Sequence, residues 1–112
     1  MKQYGLPKSC LLRKTWEFNQ VYRSGRRLRG NGFALIYLAG DQADSRLGIS
    51  VHRKVGNAVR RNRIKRVVRE TFRLHRDIFP RSSDIVFTVR PEFSLDGLQD
   101  VRDAVMELSG QR

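Results

Sequence analysis

The spacing of apolar side chains changes character several times along the chain, and each change marks an element. Phe18, Val21 and Tyr22 recur at helical spacing on one face. Thr15 stands where its hydroxyl can cap a first turn and Gly25 where it can stop a last one, so a helix is predicted over residues 16–24. Residues 26–29 read as a short strand, Gly30-Asn31-Gly32 as punctuation, and the aromatic-rich run 33–38 as a second strand. After a turn at 40–44, Leu47, Ile49 and Val51 alternate with Gly48, Ser50 and His52, the period of a strand buried on one side. The strands on either side of that turn are expected to pair as a hairpin.

Beyond Val55-Gly56 the period becomes helical again, with Asn57 as the cap and about 18 residues to Leu74, a rod about 27 Å long. Residues 84–89 form a further apolar strand closed by Arg90-Pro91. Ser94 or Asp96 then caps a last helix that turns Leu98, Val101, Val105 and Leu108 inward. Residues 1–14 show no period and read as an extended segment, mobile until something binds it. No repeat, linker or low-complexity stretch divides the chain, so residues 1–112 are expected to form one α+β domain.

The central helix has two faces of opposite chemistry. At about 100° per residue, Ile64, Val67, Val68, Thr71 and Phe72 fall on one stripe, which must pack on the sheet. Asn62, Arg66, Arg69 and Arg73 form the opposite stripe, with Arg63 and Lys65 beside it. Arg60 and Arg61 fall near the apolar stripe in the first turn, where their stems can lie on the core while the charged heads emerge. Arg53 and Lys54 immediately precede the helix, whose free N–H groups and positive dipole end also favour phosphate.

Charge gives this face its meaning. The chain carries 23 Lys and Arg against 11 Asp and Glu, a net charge of +12. Residues 1–76 hold 19 of the basic and 4 of the acidic groups, so the excess is concentrated in one part of the molecule. Between Arg53 and Arg76 there are 10 cations and one acid, Glu70. Like charges three and four apart on a helix destabilise it, which a solvated face has no reason to accept and a polyanion-binding face does. Arginine outnumbers lysine 18 to 5, and planar guanidinium both clamps phosphate and stacks on bases, which favours structured RNA. Against duplex DNA readers stands the lack of a helix-turn-helix glycine, zinc spacing or heptads.

Other functions find little support. Cys10 is the only cysteine, which excludes an intrachain disulfide or a Cys-based zinc site, implies no disulfide-linked partner and fits a reducing, cytoplasmic setting. No apolar run approaches the roughly 20 residues of a membrane span, and no membrane partner is expected. A protein nuclease needs gathered carboxylates or a His pair, yet Glu17, Asp41, Asp44 and Glu70 are scattered and His52 and His75 sit on separate elements.

The run from Arg53 to Glu70, RKVGNAVRRNRIKRVVRE, closely resembles the RNR signature of the bacterial ribonuclease P protein subunit. The likeness extends over residues 12–91, through Phe18 and Tyr22 before Gly25, the strand around Phe33, RLGISV at 46–51 and DIV at 84–86. The resemblance implies a single-domain α/β sandwich in the order αβββαβα, its sheet covered on one side by the central and last helices, with a left-handed crossover around the central helix. It also implies a ribonucleoprotein that removes the 5′ leader of precursor tRNA, in which the RNA subunit binds Mg2+ and performs the hydrolysis while the protein alone does not cleave. On matching positions, Arg53, Lys54, Asn57, Arg60, Arg61, Asn62, Arg63, Lys65, Arg66 and Arg69 contact the RNA subunit. Phe18 and Tyr22 line a cleft for the single-stranded leader, with Arg13 and Lys14 near its phosphates and Ile36 where the family often has an aromatic. Trp16 stands where the family usually has a polar residue. The alternatives are a general structured-RNA-binding protein of ribosomal or chaperone type and a stand-alone endoribonuclease.

Overall fold

Burial along the strands decides which helix covers which face of the sheet. The computed structural model of the chain describes residues 6–110. Its elements are α1 (Thr15–Ser24), β1 (Arg26–Arg29), β2 (Phe33–Ala39), β3 (Arg46–Val51), α2 (Ala58–Leu74), β4 (Ser83–Val89) and α3 (Leu98–Gly110), the expected αβββαβα order. Phe33 and Leu35 of β2, Leu47 of β3, and Ile85, Phe87 and Val89 of β4 point to one side. There they meet Ile64, Val68 and Phe72 of α2 and Val101, Val105 and Leu108 of α3. Phe33 stacks on Phe87 with centroids 5.0 Å apart, and Phe93 stands edge-on to Phe33 at 6.2 Å. The intervening residues Ile36 and Val86 point to the other side, where α1 covers them with Val21 and the preceding chain with Leu12. Full burial of such side chains contributes about 1.5–3 kcal/mol each, enough to hold a short helix in place.

The expected hairpin does not form. The strand order is β1-β2-β4-β3, with β4 between β2 and β3, antiparallel to the first and parallel to the second. The reason lies in β4 itself: Ile85, Val86, Phe87 and Val89 are all fully buried, so this strand needs cover on both faces and a neighbour on both edges. β3, with Gly48 and Ser50 on one face, takes the edge instead, and α2 carries the chain from β3 back to its parallel partner β4. Gly32 turns the chain between β1 and β2 at φ +82°, and a Cβ there would stand 2.7 Å from the Phe93 Cα, so both conformation and space demand glycine.

Three boundaries differ from expectation. Thr15 is the first helical residue of α1 rather than its cap; Glu17 reaches back and accepts the Arg13 and Lys14 N–H groups, both at 3.1 Å. Residues 6–14 are not a loose segment: the Leu12 N–H donates to the Leu47 carbonyl at 2.9 Å, Cys10 and Leu12 are buried, and Leu11 bridges to Leu47 along the free edge of β3. The rest of the segment expected to be mobile, residues 1–5, lies outside the described residues. α3 begins at Leu98, where the Gly97 carbonyl accepts the Val101 N–H, and neither Ser94 nor Asp96 caps it. With the first turn closing on the Gly97 carbonyl, the cap position falls on Gly97, which has no side chain to serve.

Candidate nucleic-acid interface

α2 owes its register to its cap and its stripe. The Asn57 side-chain oxygen accepts the Arg60 N–H at 3.0 Å, and Ile64, Val68, Thr71 and Phe72 are buried. Asn62, Arg63, Arg66 and Arg69 therefore face solvent, Arg61 and Lys65 flank them half-buried, and Arg53 and Lys54 are exposed on the single turn before the helix. Val59, also exposed, joins Asn62, Arg63 and Arg66 around a shallow depression that sequence reading missed.

The cations of this face differ in what they are already doing. Arg73 donates to Glu70 at 2.8 Å, and that hydrogen bond holds the Glu70 carboxyl below its ordinary range, so the last member of the row is neutralised within the helix. Arg60 is also committed. Its Nε–H donates to the Val55 carbonyl at 3.1 Å and its Nη2 to the Phe93 carbonyl at 3.3 Å, tying the start of α2 to the loop before α3. Arg60 therefore also serves as a structural clamp, because a guanidinium whose stem lies on the core edge finds backbone carbonyls there, while the residue stays exposed. Arg63 makes only a long contact, 3.4 Å, to the Asp96 carbonyl. Arg53, Lys54, Arg61, Lys65, Arg66 and Arg69 have no side-chain partner among the described residues, and the Arg61 Nε is buried without one.

The second half of the site is built around α1. Phe18 brings the tip of its ring onto β3 because position 48 is glycine: a Cβ there would sit 2.6 Å from the Phe18 Cζ. Tyr22, one turn on, meets Thr88 of β4 through its hydroxyl at 3.2 Å. Both rings are half-buried, and Arg13 and Lys14 are exposed at the head of the helix, their N–H groups gathered by Glu17. Arg46 secures this arrangement, donating to Glu17 at 3.0 Å and, with two nitrogens, to Asp84 of β4 at 2.8 and 2.9 Å. The Lys14 N–H above all, then the Arg13 N–H and the Arg46 charge, hold the Glu17 carboxyl below its usual range. Ile36 does not belong to the cleft: it is on the expected face but 0% exposed, sealed beneath α1. Trp16 is 60% exposed in the first turn of α1.

The two halves meet. A groove of about 150 Å³ at the free edge of β3 is lined by Arg13 and Phe18 on one side and by Lys65 and Arg69 of α2 on the other. Beyond it, Ser50, His52, Thr88 and Arg90 surround an open hollow on the same sheet face as α1. Ser50, Thr88, Arg46 and Gly48 are the contributors that sequence reading passed over; the signal was present in Gly48, a glycine set inside an alternating strand. Among the described residues no three His, Cys, Asp or Glu side chains come together as metal ligands.

A family model described as ribonuclease P matches residues 6–111. The chain belongs to the ribonuclease P protein family. The ribonuclease P protein component of Desulfotalea psychrophila is 58% identical over 110 residues, covering 98% of this chain and 92% of that one. That of Syntrophus aciditrophicus is 42% identical over 101 residues, covering 90% and 85%. Among solved structures, the RNase P protein from Thermotoga maritima in complex with 1-(4-fluorophenyl)-2-thiourea superposes with a TM-score of 0.79 at 34% identity, covering 90% of this chain and 98% of that one. The RNase P protein of Staphylococcus aureus gives 0.80 at 28% identity, covering 93% and 95%. The function is that of the protein component of ribonuclease P in tRNA 5′ processing, and its partner is the RNA of that ribonucleoprotein. No helix among the described residues is long and apolar enough to cross a membrane.

Proposed function

We propose that this chain divides its labour between two RNAs. The unpaired cations of α2 and the turn before it hold the RNA subunit, while Phe18, Tyr22, Arg13 and Lys14 grip the single-stranded 5′ leader of precursor tRNA. The RNA subunit carries out the hydrolysis. The observation that carries this reading is the groove in which Phe18 and Arg13 face Lys65 and Arg69, because it sets a half-buried aromatic wall beside a row of uncommitted charge. Aromatic faces with nearby cations bind single strands with little regard for sequence, at about 1–3 kcal/mol per stacked base, which suits a subunit that must accept many leaders.

Magnesium belongs with the RNA in this scheme. The carboxylates nearest the site, Glu17 and Asp84, already accept hydrogen bonds from Arg46, and Glu70 from Arg73, so the residues present do not fit a magnesium cage. The protein contributes by neutralising phosphate, which lets the folded RNA and its substrate approach with less of the metal.

Reconstitution tests the scheme. Precursor tRNA is incubated at low magnesium with the protein, with a bacterial ribonuclease P RNA, and with both. Cleavage confined to the combined reaction is expected. Cleavage by the protein alone would make it the nuclease, and no gain over the RNA alone would make it a general RNA binder.

A further inference from the structure

The sheet has a second basic border that the site above does not use. Arg26, Arg27 and Arg29 on β1 and Arg23 in the last turn of α1 are all exposed. Among the described residues none of them makes a salt bridge or a side-chain hydrogen bond. Glu92, on the loop that packs against Gly32, makes no ion pair with them either. β1 is the edge opposite β3, three strand spacings or about 14 Å away, and its Arg27 and Arg29 stand on the sheet face that α2 does not cover.

Register links this border to the cleft. Ser50 pairs with Thr88, Thr88 with Ala34, and Ala34 with Arg29, one row running straight across the sheet on the face that carries α1. Thr88 holds the Tyr22 hydroxyl, and Ala34 is small and buried, which leaves Arg29 as the exposed far end of the row. Arg27 pairs with Ile36 and so lies on that same face, whereas Leu28 between them joins the opposite core. A charged edge strand also guards against pairing with another chain, and Arg26 alone would serve that purpose. Edge protection does not account for Arg27 and Arg29, which stand on the sheet face at the end of the cleft, or for Arg23, which is on a helix.

We propose that this arginine border binds the phosphates of a single-stranded RNA leader after it has crossed the cleft, so that longer leaders gain a second foothold. The proposal rests on the assignment of the cleft to the leader. Guanidinium suits the task because it meets phosphate with two parallel N–H donors and needs no fixed base. The added grip depends on leader length and salt, and is indifferent to leader sequence.

The test uses the holoenzyme reconstituted with its RNA subunit and precursor tRNAs whose leaders are short, reaching only the cleft, or long. The quantity read is the ratio of affinities, long over short. The native protein is expected to favour the long leader by roughly ten-fold at moderate salt, with a salt slope steeper by about two units. In the Arg26→Ala, Arg27→Ala, Arg29→Ala protein the ratio falls to about one, and in the matching Lys protein, which keeps charge and strand, most of it returns. An unchanged ratio in the Ala protein overturns the proposal, as does an equal loss for mature tRNA, which would mean that the border serves the RNA subunit. If the native holoenzyme shows no preference for any leader over mature tRNA, the cleft assignment itself fails and takes this proposal with it.

Discussion

α1 and α2 both lay an apolar stripe on the sheet, yet they treat their charges in opposite ways. On the α1 side the acidic groups are spent within the protein: Glu17, Arg46 and Asp84 form one connected set that caps the helix and ties it to two strands, while Arg13, Lys14 and Arg23 stay exposed at its two ends. On α2 Arg60 and Arg73 are so committed and Arg63 makes one long contact, whereas Arg66, Arg69, Lys65 and Arg61 are held close together without counter-ions among the described residues. The first arrangement stabilises the fold and thereby shapes a cleft. The second opposes the fold by about 0.2–0.5 kcal/mol for each like-charged pair and is relieved only by a polyanion. α1 is thus held in place by an internal ion network and offers free cations only at its ends, whereas α2 presents them along its length.

The comparison can be broken most decisively at α2. Replacing Arg61, Arg66 and Arg69 together by Ala should weaken binding to the RNA subunit by roughly 10²-fold near physiological salt and flatten the salt slope by about three units. Thermal denaturation of the same variant should show no loss of stability, since repulsion is relieved; a clear drop in midpoint would mean that these arginines support the fold. On the other helix, Phe18→Ala should cost about 1–3 kcal/mol in preference for precursor over mature tRNA while leaving assembly with the RNA subunit intact. Equal weakening of both substrates would remove Phe18 from the cleft.

Smaller effects separate the two regions further. Arg46→Ala should lower stability by about 1 kcal/mol, a modest figure because the side chain is 34% exposed and its ion pairs are screened. Protonation should act in the same direction. Glu17 titrates below its ordinary value of 4.5 when folded, so its contribution is complete above that pH and is lost as the pH falls through the lower, folded value. Denaturation midpoints measured from pH 6 down to pH 3 should therefore fall less steeply for Glu17→Gln than for the native protein, and parallel curves would refute the coupling. Asn57→Ala should cost about 1 kcal/mol through the lost cap of α2, with RNA binding reduced only in proportion. A loss of RNA binding with no change in stability would give Asn57 a direct contact instead.

What was legible in the sequence follows from how much each signal depends on neighbours. α2 could be read almost whole because a 17-residue amphipathic helix with an Asn cap carries its own evidence. Strand parity put Ile36 on the correct face, but parity says nothing of what lies above a face, and α1 seals it. Alternation likewise identified β2 and β3 without revealing that β4, buried on both sides, would come between them. Arg60 looked like its neighbours because its acceptors, the carbonyls of Val55 and Phe93, are backbone atoms without any signature in the sequence. The Glu17 to Arg46 to Asp84 set spans residues far apart in the chain and exists only once the sheet has assembled.

The central claim is that a row of uncommitted cations on α2 binds RNA by displacing counter-ions, and a titration of the native protein against ribonuclease P RNA at several salt concentrations tests it most directly. With about six phosphates neutralised, affinity should fall by roughly 10³-fold between 50 and 200 mM salt. Binding that is unchanged across that range would contradict the account.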